Sequence, residues 1–461
     1  MKGIKIGLLP LYIKLYDDVK VNRSTHENFN AFLVEAIKSQ GIDAITTDIC
    51  RIKSEFDSAV AKFEAEGCDA IVTIHHAYSP SLESIDALAK TKLPIVVMDT
   101  TVDFALSDIC TSNPVGNNHG IHGVMDMCNL LKRRGKKYAV VAGHMDNSAV
   151  LKNTCDCIRA SVAALSLAGS KVGRFGTSFD GMGDFIIEKD VIKDTFGVDL
   201  VQVTDAEMKQ AVDSITDEQI KNEYKYYEDN FIINNNADLS NDAVVKSIKA
   251  CLATRKIIEE KGLDAFSVNF LDVKKSNLGS MPFVETCLQM SKGIGYAGEG
   301  DILTASFVGA FLKAFKQVSF IEIFCPDWKE DRLLISHMGE MNYDVACTKP
   351  VYAINKFVYT DAEMCCKATA AFKEGKAVYC NLFRVENEAF KMSVSPVDME
   401  YVQGQALGSI RGWLRHEKGI AKFLEELSEN GAIHHGFMVY DVDVKAIKYF
   451  AKLIGLEIVE I

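Results

Sequence analysis

Residues 293–340, GIGYAGEGDILTASFVGAFLKAFKQVSFIEIFCPDWKEDRLLISHMGE, mark the point where the chain changes its fold. Leu303, Phe307, Phe311 and Phe315 recur at the i, i+4 spacing of a helix, with Asp301 placed to cap its start. The β-rich runs 318–325 and 332–338 follow, joined by the turn-forming stretch PDWKED. Closing them as a hairpin sets Cys325 opposite Arg332 and Glu322 opposite Ile335. His337 then falls on the face that carries Glu322, about 7–8 Å away at the backbone.

The same stretch holds three side chains able to ligate a metal: Glu299, Glu322 and His337. A fourth comes from the pair His434-His435 near the end of the chain. Two carboxylates and two imidazoles form an oxygen–nitrogen set that suits Mn²⁺ and tolerates Mg²⁺, Co²⁺ or Zn²⁺. Glycines on both sides of Glu299 let the backbone bend tightly there. Each residue alone also has a plain reading, as an edge-strand carboxylate or a packed histidine. Together the case is stronger, because burying Glu322 between Phe320 and Phe324 without a partner is costly and an ion removes that cost. Neighbouring strand residues face opposite ways, so only one of His434 and His435 is placed to ligate.

Before this stretch the chain alternates strand and helix signals. Residues 4–9, 43–47, 70–74, 94–98 and 138–142 are short β-rich runs, with helical patterns at 27–39, 55–66, 82–90 and 149–167. That rhythm predicts a doubly wound parallel sheet, whose ligands bind beyond the carboxyl ends of the strands. Those ends carry Leu11-Tyr12, His75-His76, Asp99-Thr100 and His144. The stretch 111–123, TSNPVGNNHGIHG, reads as a polar loop with His119 and His122. A second α/β region follows from 171 to 316. After it come β-rich runs at 349–358, 377–383, 390–394 and 436–440, with helical patterns at 362–373, 420–428 and 444–454. The expected class is therefore α/β: N-terminal (1–170) and middle (171–316) parallel-sheet domains, then a mainly antiparallel C-terminal domain (317–461).

Composition removes several classes of function. The chain has 461 residues, 48% of them hydrophobic, and a net charge of −12 that offers no basic footprint for nucleic acid or anionic membrane. No apolar run reaches the length of a membrane span. The opening MKGIKIGLLPLY, broken by Lys5, reads as a first strand and not a signal peptide. Thirteen cysteines, mostly inside predicted elements and without zinc-site spacing, fit reduced thiols in a cytoplasm. Gly293–Gly298 contains a literal G-x-G-x-x-G. A helix pattern precedes it and Glu299 follows it, so a pyrophosphate has no place there.

The motifs GYAGEGD, SFIEIF, ISHMGE and AIHHGF, around Glu299, Glu322, His337 and His434-His435, resemble the L-arabinose and L-fucose isomerase family, more closely its arabinose branch. Weaker likenesses at IGLLPLY, HHAYSP, NNHG, VVAGH and GRFG run in order through nearly the whole chain. The resemblance implies a metal-dependent aldose–ketose isomerase working through an enediol, with Glu299 and Glu322 as acid and base. It implies His435 as the fourth metal ligand and His434 beside the sugar. His119 is implied to reach a sugar bound mainly to a neighbouring subunit of a homo-oligomer, with a hexamer the assembly that the resemblance suggests. Tyr12, Leu11 and Phe179 match regions that line the family's pocket.

One departure bears on specificity. Leu9-Pro10 stand where the arabinose branch typically has glutamine and histidine before Leu11-Tyr12. Losing two groups that read sugar hydroxyls predicts a pentose, hexose or deoxy sugar other than L-arabinose. The competing readings are an epimerase or aldolase using the same enediolate chemistry, and a non-catalytic sugar-binding protein.

Overall fold

The computed structural model describes residues 3–17, 23–106, 114–359, 364–402 and 408–461. The chain forms two compact units, Met1–Ala164 with Lys445–Gly455, and Leu165–Val444 with Leu456–Ile461. The fold is α/β with two parallel sheets and an antiparallel C-terminal part.

In the first unit, five parallel strands lie in the order Asp43–Thr46, Lys5–Leu11, Ala70–His75, Ile95–Asp99, Tyr138–Ala142. The middle strands are buried along their length, as a sheet covered on both faces requires. A Cβ on Gly7 would meet the ring of Phe63 at 2.3 Å, so glycine there lets the helix Lys53–Ala65 sit close on the sheet. The helix Val444–Ile454 belongs to this unit: Tyr449 Oη donates to the carbonyl of Ile95 at 2.8 Å.

Residues 114–123 are not one loop. Pro114–Asn118 is a short helix, with proline at a position where its missing N–H costs nothing, and Ile121–Arg133 is a longer one. Residues 111–113 of that stretch lie outside the described residues.

In the second unit, four parallel strands run in the order Gly295–Gly298, Ala265–Val268, Lys171–Phe175, Asp199–Val203. The helix Ile302–Leu312 follows and is buried on every side, which explains why apolar residues surround it. A Cβ on Gly295 would lie 2.2 Å from the Ala305 carbonyl and 2.3 Å from the Gly309 nitrogen, so two glycines permit near backbone contact.

Six antiparallel strands then close into a barrel: Gly375–Arg384, His435–Tyr440, Val318–Asp327, Arg332–His337, Ile410–Arg415 and Phe390–Glu400, the last pairing back to the first. Glu457–Glu460 adds alongside Phe390–Glu400 in parallel. Ile321, Leu333, Ile335, Tyr379, Met399, Leu414 and Met438 belong to the core cluster of this unit.

Two sequence expectations fail here. Residues 364–369 of the stretch read as a helix at 362–373 form the strand Met364–Thr369, paired antiparallel with Val351–Lys356. The helical reading of that stretch yields to cross-strand pairing of a largely buried segment; residues 362–363 lie outside the described residues. The hairpin register also differs. Asp327, not Cys325, pairs with Arg332, so Cys325 falls opposite Leu334, two residues from its expected partner; a bulge between Ile323 and Cys325 takes back one residue, and Glu322 pairs with Ser336.

Candidate metal and sugar site

Glu299 stands at the end of the strand Gly295–Gly298, with a left-handed backbone (φ 65°) that side chains rarely adopt. That conformation costs about 1–3 kcal/mol and persists only where neighbours enforce it. They do: the Glu299 N–H donates to the Val268 carbonyl at 3.1 Å, and its carbonyl accepts from the Phe179 N–H at 2.8 Å. The flanking glycines are needed for space. A Cβ on Gly298 would meet His337 Cε1 at 2.8 Å, and one on Gly300 would meet the Thr177 carbonyl at 2.4 Å.

Glu322 and His435 are directly paired on adjacent barrel strands. By pairing alone His337 belongs with Ile410, a core residue. It is the last residue of its strand, though, and its ring lies 4.9 Å from that of Phe320, beside Glu322. The face anticipated for His337 is reached by a different register.

The side chains converge on one point. His435 Nε2 is 3.5 Å from Glu299 Oε2, and His337 Nε2 is 3.7 Å from Glu322 Oε2. His434 Nε2 is 3.7 Å from Glu299 Oε2 and 3.9 Å from Glu322 Oε1. These separations are long for hydrogen bonds. They suit donors that share an ion at about 2.0–2.2 Å from each. Glu299 with His434 and His435, and Glu322 with His337 and His435, are groups that could hold a metal. Glu299 Oε2, His337 Nε2 and His435 Nε2 are buried and have no hydrogen-bond partner. Three buried donor atoms turned toward one centre fit a cation.

Behind each histidine stands a carboxylate that sequence reading did not assign to the site. His435 Nδ1 lies 3.0 Å from Asp301 Oδ2, while Asp301 Oδ1 accepts from the Thr304 N–H at 2.9 Å. His337 Nδ1 is 2.6 Å from Glu340 Oε2, which also accepts from the Gly339 N–H, and Tyr296 Oη donates to Glu340 Oε1. His434 Nδ1 is 2.5 Å from Asp184 Oδ2. Each partner fixes the ring so that Nε2 faces the centre, the arrangement typical of metal-bound histidine. The Phe185 ring stacks on His435 at 4.9 Å.

Charge follows this geometry. Burial would raise the carboxyl of Glu299, but His434 and His435 hold it at about 2. For Glu322 burial prevails and its pKa is raised despite His337. Burial works against the imidazolium of His434 and of His435, yet the carboxylates around them raise the two to about 10 and about 9.

Phe179 reaches this region through its backbone bond to Glu299 and lines a cavity of about 510 Å³ with Asp180 and Asp272. Leu11, Tyr12 and His119 belong to the first unit. Leu11 and Tyr12 are buried, and His119 Nε2 is 2.7 Å from the hydroxyl of Tyr16. His75 and His76 are buried as well, and desolvation lowers both to about 3. His122 lies beside His119, and His144 beside Phe104.

Residues 171–317 match the L-arabinose isomerase central domain, and residues 317–457 match the L-arabinose isomerase C-terminal domain. The two matches meet end to end and together take up more than half of the chain. The chain belongs to the L-arabinose isomerase family.

Curated members of the family align beyond those two regions. The L-arabinose isomerase of Saccharophagus degradans is 24% identical over 445 residues, spanning 92% of this chain and 85% of that protein. That of Bacillus subtilis (strain 168) is 23% identical over 407 residues, 85% of this chain and 81% of that protein. That of Flavobacterium johnsoniae is 25% identical over 353 residues, 73% and 69% respectively. Among solved structures, a periplasmic solute binding protein from Actinobacillus succinogenes 130z with bound D-allose aligns over 58% of this chain and 78% of its own. Its identity is 15% and its TM-score 0.19, so it bears on neither fold nor ligand. Among the described residues no helix is long and apolar enough to cross a membrane.

Proposed function

We propose that the protein is a divalent-metal-dependent aldose–ketose isomerase acting on a pentose, hexose or deoxy sugar other than L-arabinose. The observation that carries this is the convergence of Glu299, Glu322, His337 and His435 with three buried donor atoms left unpaired. Those four residues hold the ion, Mn²⁺ by preference. An ion there supplies Lewis-acid polarisation of the sugar's carbonyl and hydroxyl oxygens.

The protein's own residues move the proton. Glu299, held ionised by His434 and His435, takes the proton from the carbon next to the carbonyl. Glu322, whose pKa is raised by burial, delivers a proton to the neighbouring carbon. His434, half-buried and fixed by Asp184, hydrogen-bonds a sugar hydroxyl. Phe179, bonded through its N–H to the Glu299 carbonyl, is assigned to the sugar pocket.

His119 serves the site of a neighbouring subunit in a homo-oligomer, a hexamer by family precedent, while Tyr12 and Leu11 are assigned to the sugar pocket. The matched regions support a division into domains 1–170, 171–316 and 317–461. The twelve described cysteines are all free, which supports a cytoplasmic setting. Turnover in D₂O tests the proton transfer: an enediol route places solvent deuterium on the product carbon. Product without label contradicts it.

A further inference from the structure

Beside His337 the barrel carries a cavity of about 410 Å³ whose basic lining, His337 aside, is Lys356, Lys367 and Arg411, with Phe357, Tyr359 and Trp413 among its walls. Lys367 is 5% exposed. Its ammonium lies 4.8 Å from the Phe283 ring and 5.1 Å from the Phe357 ring, and it donates to the Gly408 carbonyl at 3.3 Å. An ammonium has three donors, and among the described residues only the bond to Gly408 accounts for any of them. Among the described residues no carboxylate lies within salt-bridge distance of Lys367, Lys356 or Arg411; Arg411 Nε donates to Ser409 Oγ at 3.3 Å. Buried charges are ordinarily paired; Glu340, which acts on this ammonium from beyond salt-bridge distance, is itself bonded to His337, Gly339 and Tyr296, so the ammonium is placed to take a further anion. Burial also lowers its pKa, a cost that a bound anion would offset.

The cavity lies at the right distance for one substrate to reach both it and Glu322. Glu322 pairs with Ser336, and Ser336 pairs with Arg411, so the three stand in a row across adjacent strands. Two strand spacings separate Glu322 from Arg411, about 10 Å at the backbone. A five- or six-carbon sugar held by its carbonyl end at Glu322 extends along that row. The cavity lined by Phe179 carries Asp180 and Asp272 against the single Lys275, and so repels an anion.

We propose that the substrate of this site is an anionic sugar, bearing a phosphate or carboxylate at the end away from its carbonyl, which Lys367 and Arg411 bind. This rests on the isomerase reading and narrows it.

Calorimetric titration of the Mn²⁺-loaded protein with a pentitol, its terminal phosphate and the matching sugar acid tests the proposal without turnover. A charged form is expected to bind about 10-fold or more tighter than the pentitol, the effect of a charge-assisted contact. A preference for the phosphate identifies a sugar phosphate, and a preference for the acid a sugar acid. In Lys367→Met, and separately in the surface variant Arg411→Gln, the charged-to-neutral affinity ratio should fall toward one. Equal binding of all three ligands, or a ratio that survives both substitutions, overturns the proposal, while turnover of neutral sugars would leave the isomerase reading standing. Anion preference without turnover of any sugar would uphold the anion site and remove the isomerase reading instead.

Discussion

Asp301 joins a helix end to the candidate metal centre: one carboxylate oxygen caps the Thr304 N–H at 2.9 Å and the other lies 3.0 Å from His435 Nδ1. The N-terminus of a helix buried on every side is thereby tied to the ring orientation of a candidate ligand. Asp301→Asn keeps an oxygen able to cap but loses the carboxylate facing the imidazole. Mn²⁺ affinity should fall about 10–100-fold with little change in melting temperature. A metal titration followed by a thermal scan measures both.

Gly298 sets the packing between Glu299 and His337. A methyl group in Gly298→Ala would stand 2.8 Å from His337 Cε1, and Glu340 pins that ring from behind. The ring must turn, so metal binding and activity should drop at least about 10-fold, on the scale of losing a supporting contact. Gly298 is not left-handed, so Gly3→Ala, also at an ordinary φ and with nothing within 4 Å of the added carbon, is a control for the substitution without the clash. Normal metal affinity in Gly298→Ala would contradict the packing argument.

The two glutamates should be separable from the fold. Glu299→Gln and Glu322→Gln keep shape while removing the proton carrier, so turnover should be lost while far-UV circular dichroism is unchanged. General acid–base help alone accounts for about 10²–10⁴-fold. Near-normal activity in either variant would rule out its role.

Sequence made some of this legible. Apolar residues at i, i+4 from Leu303, with Asp301 ahead of them, gave the helix and its cap. Glycines around Glu299 announced a bent backbone, found at φ 65°. The bulge between Ile323 and Cys325 left no signature, since one extra residue in an apolar strand preserves composition while shifting every pair beyond it. Glu340, three residues after His337, could have been noticed as its partner. Asp301 was already explained as a cap. Asp184 lies 250 residues before His434, and only the folded chain brings them together. The strand Met364–Thr369 escaped because its pairing with Val351–Lys356 is tertiary, not written in its own periodicity.

The pH response should invert when the ion binds. Without it, His434 and His435 are raised from 6.5 to about 10 and about 9, so they stabilise the fold fully below pH 6.5 and lose that effect as pH rises through those values. Glu299, lowered from 4.5 to about 2, stabilises above pH 4.5 and loses that effect as pH falls toward 2. Ion-free protein should therefore melt at progressively lower temperature between pH 6.5 and 9. Added Mn²⁺ must displace the proton from the ligand His435, so the stabilisation it gives should grow over the same range. Paired melting curves with chelator and with Mn²⁺ show whether the slopes diverge.

The central claim is the reaction itself. Metal-stripped protein, reloaded with Mn²⁺, is incubated with aldoses and ketoses, both neutral and anionic, and the products are separated by chromatography. Mn²⁺-dependent conversion of one sugar into its 1,2-carbonyl isomer is the predicted result. Conversion at another carbon, cleavage of the chain, or no conversion by protein with its metal bound would contradict it.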